Sequence, residues 1–106
     1  LQIFKFSLIE KFYFAQEISI KIQRNRPKTI NEINLWLACL RDLLLLKSGY
    51  ENDQFHEDYI RVSNELSFNQ ILQTGNVISE TLENLNLNIN PRLCLDMLML
   101  KVHYFN

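Results

Sequence analysis

The stretch NINPRLCLDMLML, residues 88–100, decides the fold of the C-terminal part of the chain. Asn90 can accept a backbone N–H bond as a helix N-cap. Pro91 suits the first helical position because a proline there lacks only a donor that would be unpaired anyway. The apolar run therefore predicts a last helix from Pro91 to about Tyr104. Such a helix is stable only when its apolar face packs against other elements.

The N-terminal half predicts two long helices. Only two glycines and two prolines interrupt 106 residues, which favours long helices over a β architecture with many turns. Apolar residues recur every three to four positions from Ile3 to about Gln23, although the alternating ISIKI of residues 18–22 leaves a strand as the alternative there. Thr29 and Glu32 have the form of a capping box that opens a second helix, which ends at Lys47–Gly49.

Two more helices are expected between these and the last one. The polar residues 50–56 predict a loop that leads into a short helix near Glu57–Glu65. Ser67 and Gln70 form another capping box, and apolar spacing continues that helix to Leu85. Gly75 within it indicates the close approach of a neighbouring helix.

These segments predict an all-α fold, a compact bundle of about five helices in a single domain spanning residues 1–106. The second helix is apolar on several sides, with Leu44 inside a run of four leucines. A helix of this kind is buried on several sides. It is therefore either the central helix of the bundle or a helix with one face against another subunit.

The charge balance argues against a dedicated nucleic-acid-binding protein. The chain has 11 basic and 12 acidic side chains and a formal net charge of −1. Six of the basic residues precede position 30, and Arg24, Arg26 and Lys28 are close together among them. They fit a solvated turn or a basic surface that faces a partner, and DNA contact by these three residues is a further alternative.

The residues offer no recognisable catalytic site. Two separate glycines cannot form a phosphate-binding loop. His56 and His103 lack a second ligand at metal-binding spacing, and the acidic residues 53–58 lack the pattern of a calcium loop. We therefore expect no catalytic residue, no cofactor and no metal in this chain.

Compartment and chain ends can also be predicted. Cys39 and Cys94 lie in separate apolar runs, which fits small buried side chains and a reducing, cytoplasmic setting. The apolar run 35–46 is interrupted by charges and is shorter than the roughly 20 residues of a membrane span. No initiator Met and no signal peptide are present, so we expect Leu1 to be the cut end of a longer protein.

The charged pair Arg41–Asp42 lies inside the apolar run 35–46. Charges in such a position persist when they are paired, so the pair is either an intrachain ion pair or a contact between subunits. Arg92 lies four residues before Asp96, which permits a surface pair on the last helix. Arg92 could instead reach Asp42.

Two motifs together resemble the C-terminal domain of the bacterial DNA polymerase III delta-prime subunit, a component of the clamp loader. They are WLACLRDLLLLKSG at residues 36–49 and NINPRLCLDMLMLKV at residues 88–102, with Asp96 where the family more often has Glu. Their order and spacing match the family, and the resemblance covers most of the chain.

The resemblance implies a helical collar domain that packs with the gamma/tau and delta subunits. Five such domains form a ring in that complex, which opens the sliding clamp and places it on primed DNA. The ATPase-like module would belong to an N-terminal region absent from this fragment, so the fragment itself would be an assembly module and not an enzyme. Residues implied as structural or interface positions are Trp36, Arg41, Asp42, Leu44, Asn90, Pro91 and Arg92.

Two other interpretations remain open. The sister gamma/tau subunit has a collar domain of the same kind. An unrelated helical module could instead bind a peptide or a small ligand in a groove between helices.

Overall fold

The computed structural model describes residues 5–49 and 57–104, and it confirms the all-α fold over these ranges. No strand occurs among the described residues. The five helices are α1 (Leu8–Arg24), α2 (Arg26–Lys47), α3 (Glu57–Glu65), α4 (Phe68–Asn86) and α5 (Pro91–Tyr104).

Four of the helices close into a ring around one core. α1 packs on α5 and α2, while α4 packs on α2 and α5, and α3 rests against α2. Lys11 near the start of α1 contacts His103 near the end of α5, so these two helices run in opposite directions. Arg26 at the start of α2 likewise contacts Leu85 near the end of α4. At each end of the bundle, a basic side chain of one helix therefore contacts a neighbouring helix.

The core is made of apolar side chains from all four helices of the ring, together with Leu66 between α3 and α4. Leu40 and Leu43 of α2 are fully buried in this core. α2 packs against α1, α3 and α4 as one member of the ring, so the expectation of a helix at the centre of the bundle is wrong. Leu44 is only half-buried and packs against the outside of this core. The other buried apolar residues that form the cluster are Ala15, Ile18, Ile22, Ile33, Leu66, Ile71, Val77, Ile78, Leu82, Leu85, Cys94, Leu95, Leu98, Met99 and Val102.

α1 begins later than the spacing of apolar residues predicts. Ser7 is its N-cap, with the Ser7 hydroxyl accepting from the Glu10 N–H and the Ser7 N–H donating to Glu10 Oε1, both at 3.2 Å. This capping box starts the helix at Leu8, so the predicted start at Ile3 is wrong over residues 5–7, while residues 1–4 lie outside the described residues. The alternating residues 18–22 are helical, so the strand alternative there is also wrong.

The start of α2 differs from the prediction as well. Asn25 alone separates α1 from α2, and its side-chain Oδ1 accepts from the Lys28 N–H at 3.3 Å. Thr29 is therefore not the cap. It is buried inside the first turn, where its hydroxyl donates to the Asn25 carbonyl at 2.9 Å. Pro27 is the second residue of α2, and a proline in the first helical turn forfeits only a donor that has no intrahelical partner.

The remaining helix boundaries agree with the sequence. The capping box of Ser67 and Gln70 is present at the start of α4, and α2 ends at Lys47, with Gly49 in the left-handed region at φ 96°. α3 spans the predicted residues, whereas the predicted loop 50–56 lies outside the described residues.

The close approach predicted at Gly75 is wrong, since a Cβ placed there would meet no described atom within 4 Å.

The last helix begins where the opening motif predicts. The Leu93 N–H donates to Asn90 Oδ1 at 3.1 Å, and Pro91 is the first helical residue. Asn88 adopts φ 60° in the preceding turn, a left-handed conformation that asparagine tolerates better than most residues. The Ile89 N–H donates to the Asn84 carbonyl at 3.2 Å, which closes the end of α4.

Candidate functional site

An apolar cleft runs between α4 and α5. Its volume is about 190 Å³, and its walls include Val77 and Thr81 from α4 and Leu93 and Met97 from α5. Leu93 is 56% exposed and Met97 is 47% exposed, one helical turn apart on the same side of α5. Ile89, which also lines the cleft, is exposed as well. We call these side chains the α4–α5 surface. It is an apolar surface beside the core that no described helix covers.

Charged groups and a cysteine also line this cleft. Lys101 and Glu80 pair across it at 3.5 Å, and both side chains are solvent-accessible. Cys94 is buried in the wall of the cleft, and desolvation raises the pKa of its thiol despite opposing effects of a backbone hydrogen bond and the charge of Arg26. A thiol that stays protonated is a poor nucleophile, so Cys94 serves as a small packing group.

Trp36 belongs to a three-ring aromatic cluster between α1 and α2. Its ring centroid lies 5.9 Å from that of Phe14, and Phe14 lies 6.1 Å from Phe6 in an edge-to-face arrangement. Trp36 is half-buried, and the neighbouring Leu35 is 63% exposed on α2. The outer side of α2 therefore keeps apolar surface that the other described helices do not cover.

The charged residues singled out in the sequence do not form one network. Arg41 is exposed and Asp42 is half-buried, and neither makes an ion pair within residues 5–49 and 57–104. The position of Arg41 inside an apolar run therefore does not bury its charge. Arg92 donates from Nε to both carboxylate oxygens of Asp96 at 3.1 Å, so it takes the surface pairing and does not reach Asp42.

The three basic residues considered for DNA contact have different environments. Arg24 and Lys28 are exposed, whereas Arg26 is half-buried and its guanidinium donates to the Leu85 carbonyl. A cation at the carboxyl end of a helix satisfies a free carbonyl and interacts favourably with the helix dipole. Arg26 thus stabilises the end of α4, and only two of the three residues face solvent.

Lys11 is a buried lysine that the sequence analysis does not single out. Its residue exposure is 0%, and its Nζ donates to the Phe6 carbonyl at 2.8 Å and contacts His103 Nδ1 at 3.2 Å. Desolvation lowers the pKa of Lys11, while the nearby charge of Glu10 acts in the opposite direction. No described carboxylate forms an ion pair with Lys11. The ammonium group is therefore held by two hydrogen-bond acceptors and not by a counter-ion.

A signal for this burial is nevertheless present in the sequence. Lys11, Ala15, Ile18 and Ile22 follow the spacing of one helix face, and the last three are core residues. His103 is half-buried at the end of α5, close to the predicted helix-end position. His56 and Asp53 lie outside the described residues, whereas Glu57 and Asp58 are the first two residues of α3.

Among the described residues, no group of three or more histidine, cysteine or acidic side chains could hold a metal ion. The helices of the described ranges are also too short or too polar to cross a membrane. No family model, curated protein or solved structure matches this chain.

Proposed function

We propose that this chain is a non-catalytic assembly module that joins partner subunits through its uncovered apolar helix surfaces. The observation that carries the proposal is the α4–α5 surface, where Leu93 and Met97 stand exposed beside an apolar cleft. Exposed apolar surface that borders a groove is typical of protein interaction sites. A hydrophobic contact of this kind would bury surface that is costly to keep in water.

The size of the cleft favours a protein partner over a small ligand. Its volume of about 190 Å³ is below the roughly 300–1,000 Å³ of typical ligand pockets. Side chains of a partner helix would fit it better than a whole cofactor or substrate. Leu35 adds exposed apolar surface on α2, outside the cleft. An assembly module that contacts neighbours on more than one side would use both surfaces.

The particular assembly we propose is the collar of the bacterial clamp loader, with this chain in the delta-prime position beside the gamma/tau and delta subunits. The resemblance of residues 36–49 and 88–102 supports this assignment. The all-α bundle is compatible with it, as is the helix start at Asn90 that the second motif implies. On this proposal the module works in the cytoplasm, and any contact with the sliding clamp or primed DNA depends on the whole complex.

Mixing the chain with purified gamma/tau and delta subunits, followed by size-exclusion chromatography with light scattering, tests the proposal. The wild-type chain should elute in a larger complex. The double variant Leu93→Glu and Met97→Glu should elute alone, because it places charges on the α4–α5 surface. Leu72→Glu is the matched control, since Leu72 is also exposed and apolar but does not line the cleft.

Three outcomes separate the alternatives. If the wild-type chain stays alone where an intact delta-prime subunit enters the complex, the collar assignment is wrong and a groove-binding module is favoured. If intact gamma/tau displaces the chain while intact delta-prime does not, the chain is the sister collar. If the double variant assembles as well as wild type, the α4–α5 surface is not the contact.

A further inference from the structure

A different surface lies on the outer side of α1. Phe6, Glu10, Tyr13, Phe14 and Glu17 line an open cleft of about 220 Å³. The last four are spaced as i, i+3, i+4 and i+7, so they lie along one side of the helix. We call this set the α1 surface. It shares no residue with the α4–α5 surface.

The floor of the α1 surface is aromatic and held in place. Phe14 packs between Phe6 and Trp36, with ring centroids 6.1 and 5.9 Å away. Tyr13 is 63% exposed beside this floor. Aromatic ring faces carry partial negative charge and attract ammonium and guanidinium groups. Exposed rings of this kind can therefore recognise a cation as well as apolar groups.

Two carboxylates flank the rings on the α1 surface. Glu10 and Glu17 are both exposed and make no ion pair with any described residue. Glu10 accepts a hydrogen bond from the Ser7 N–H, which engages Oε1. The lysine next to it in sequence, Lys11, points inward to the Phe6 carbonyl. The α1 surface therefore carries net negative charge beside its aromatic floor.

We propose that the α1 surface docks a basic segment of a partner polypeptide, with two lysine or arginine side chains placed beside Glu10 and Glu17. Seven residues of helix separate the two carboxylates by roughly 10 Å along the axis. One small cation cannot touch both, whereas two basic side chains on one partner can. Charge complementarity and the aromatic floor together select this occupant, and the proposal does not depend on the clamp-loader assignment.

The test uses two fluorescent helical peptides built on alanine. One carries two arginines seven positions apart with two leucines on the same face, and the other has glutamine in place of both arginines. Fluorescence anisotropy should show saturable binding of the arginine peptide that weakens as salt is raised. Replacing Glu10 and Glu17 together by Gln should weaken it about tenfold, and Tyr13→Ala should weaken it by a further few-fold.

The substitutions are chosen to leave the fold intact. Glu10→Gln keeps the capping box of α1, since Gln70 has the same role at the start of α4. Glu83→Gln is the matched control, because Glu83 is an exposed glutamate on α4, and it should not change the affinity. Absence of arginine-peptide binding, equal affinity for both peptides, or an unchanged affinity of the Glu10→Gln, Glu17→Gln double variant would each overturn the proposal.

Discussion

Replacing Lys11 with Met should change how the stability of the protein depends on pH. Met has a similar length and no charge, so it fills the same buried space without an ammonium group. In the wild type, desolvation lowers the pKa of Lys11 below its ordinary value of 10.5. The unfolded chain therefore holds this proton at pH values where the folded chain has released it.

The sign and size of the effect follow from this difference in bound protons. Between the lowered pKa and pH 10.5, the unfolded state binds more protons, so the free energy of unfolding rises with pH. A single group contributes at most about 1.4 kcal/mol per pH unit. This slope is an upper bound, because it is reached only where Lys11 is fully protonated in the unfolded state and fully deprotonated in the folded state.

The free energy of unfolding at neutral pH is less informative than the slope of the free energy of unfolding against pH. Two hydrogen bonds to a charged donor are worth about 1.5–3 kcal/mol each. The desolvation of a buried ion costs several kcal/mol. The opposing contributions are of similar size, so the stability of Lys11→Met at pH 7 does not isolate either of them. Only the change with pH isolates the buried charge.

Urea denaturation followed by circular dichroism, at a series of pH values from about 7 to 10.5, measures the effect. The free energy of unfolding of wild type relative to Lys11→Met should rise with pH, since the other titrating groups are common to both proteins. Lys21→Met is the matched control, because Lys21 is exposed on the same helix. This substitution removes a solvated charge and not a buried one. A difference between wild type and Lys11→Met that stays constant over this range would refute a buried ammonium at this position.

Four further substitutions test the helix boundaries and the core by urea denaturation. Asn90→Ala should destabilise the protein by about 0.5–2 kcal/mol through loss of the α5 cap, and an unchanged midpoint would contradict that cap. Leu95→Ala should cost about 2–5 kcal/mol because Leu95 is fully buried. Leu93→Ala on the same helix should cost much less, and equal losses would contradict the α5 orientation. Gly75→Ala should stabilise by up to about 1 kcal/mol, since the added methyl meets no described atom within 4 Å; a loss of stability would show that the site is crowded.

Helix boundaries could be predicted where a cap and the apolar spacing agree. Ser67 with Gln70 and Asn90 with Pro91 each mark a start that the apolar pattern also supports, and both starts are correct. At Thr29 two local signals competed. Thr29 and Glu32 have the letters of a capping box, but the cap is Asn25, which also provides the break after α1. A one-residue break leaves almost no trace in the apolar spacing, so the sequence pattern alone could not place it.

The environment of individual charges was harder to predict than the helices. Lys11 occupies a core position because α1 packs along α5, and that pairing brings His103 from 92 residues away. Arg26 depends in the same way on Leu85, which is 59 residues distant. Local spacing can identify a buried face, but it does not identify the partner across the bundle. The α1 surface also depends on such a contact, because Trp36 of α2 holds its aromatic floor.

The two basic side chains that cross between helices have a consequence for the response to ionic strength. The salt bridges Lys5–Glu65, Arg92–Asp96 and Lys101–Glu80 are solvent-accessible, and mobile ions screen such pairs. Lys11 and Arg26 instead donate to carbonyl groups and an imidazole at short range, where screening has little effect. The closure of the bundle at both ends should therefore tolerate a wide range of salinity.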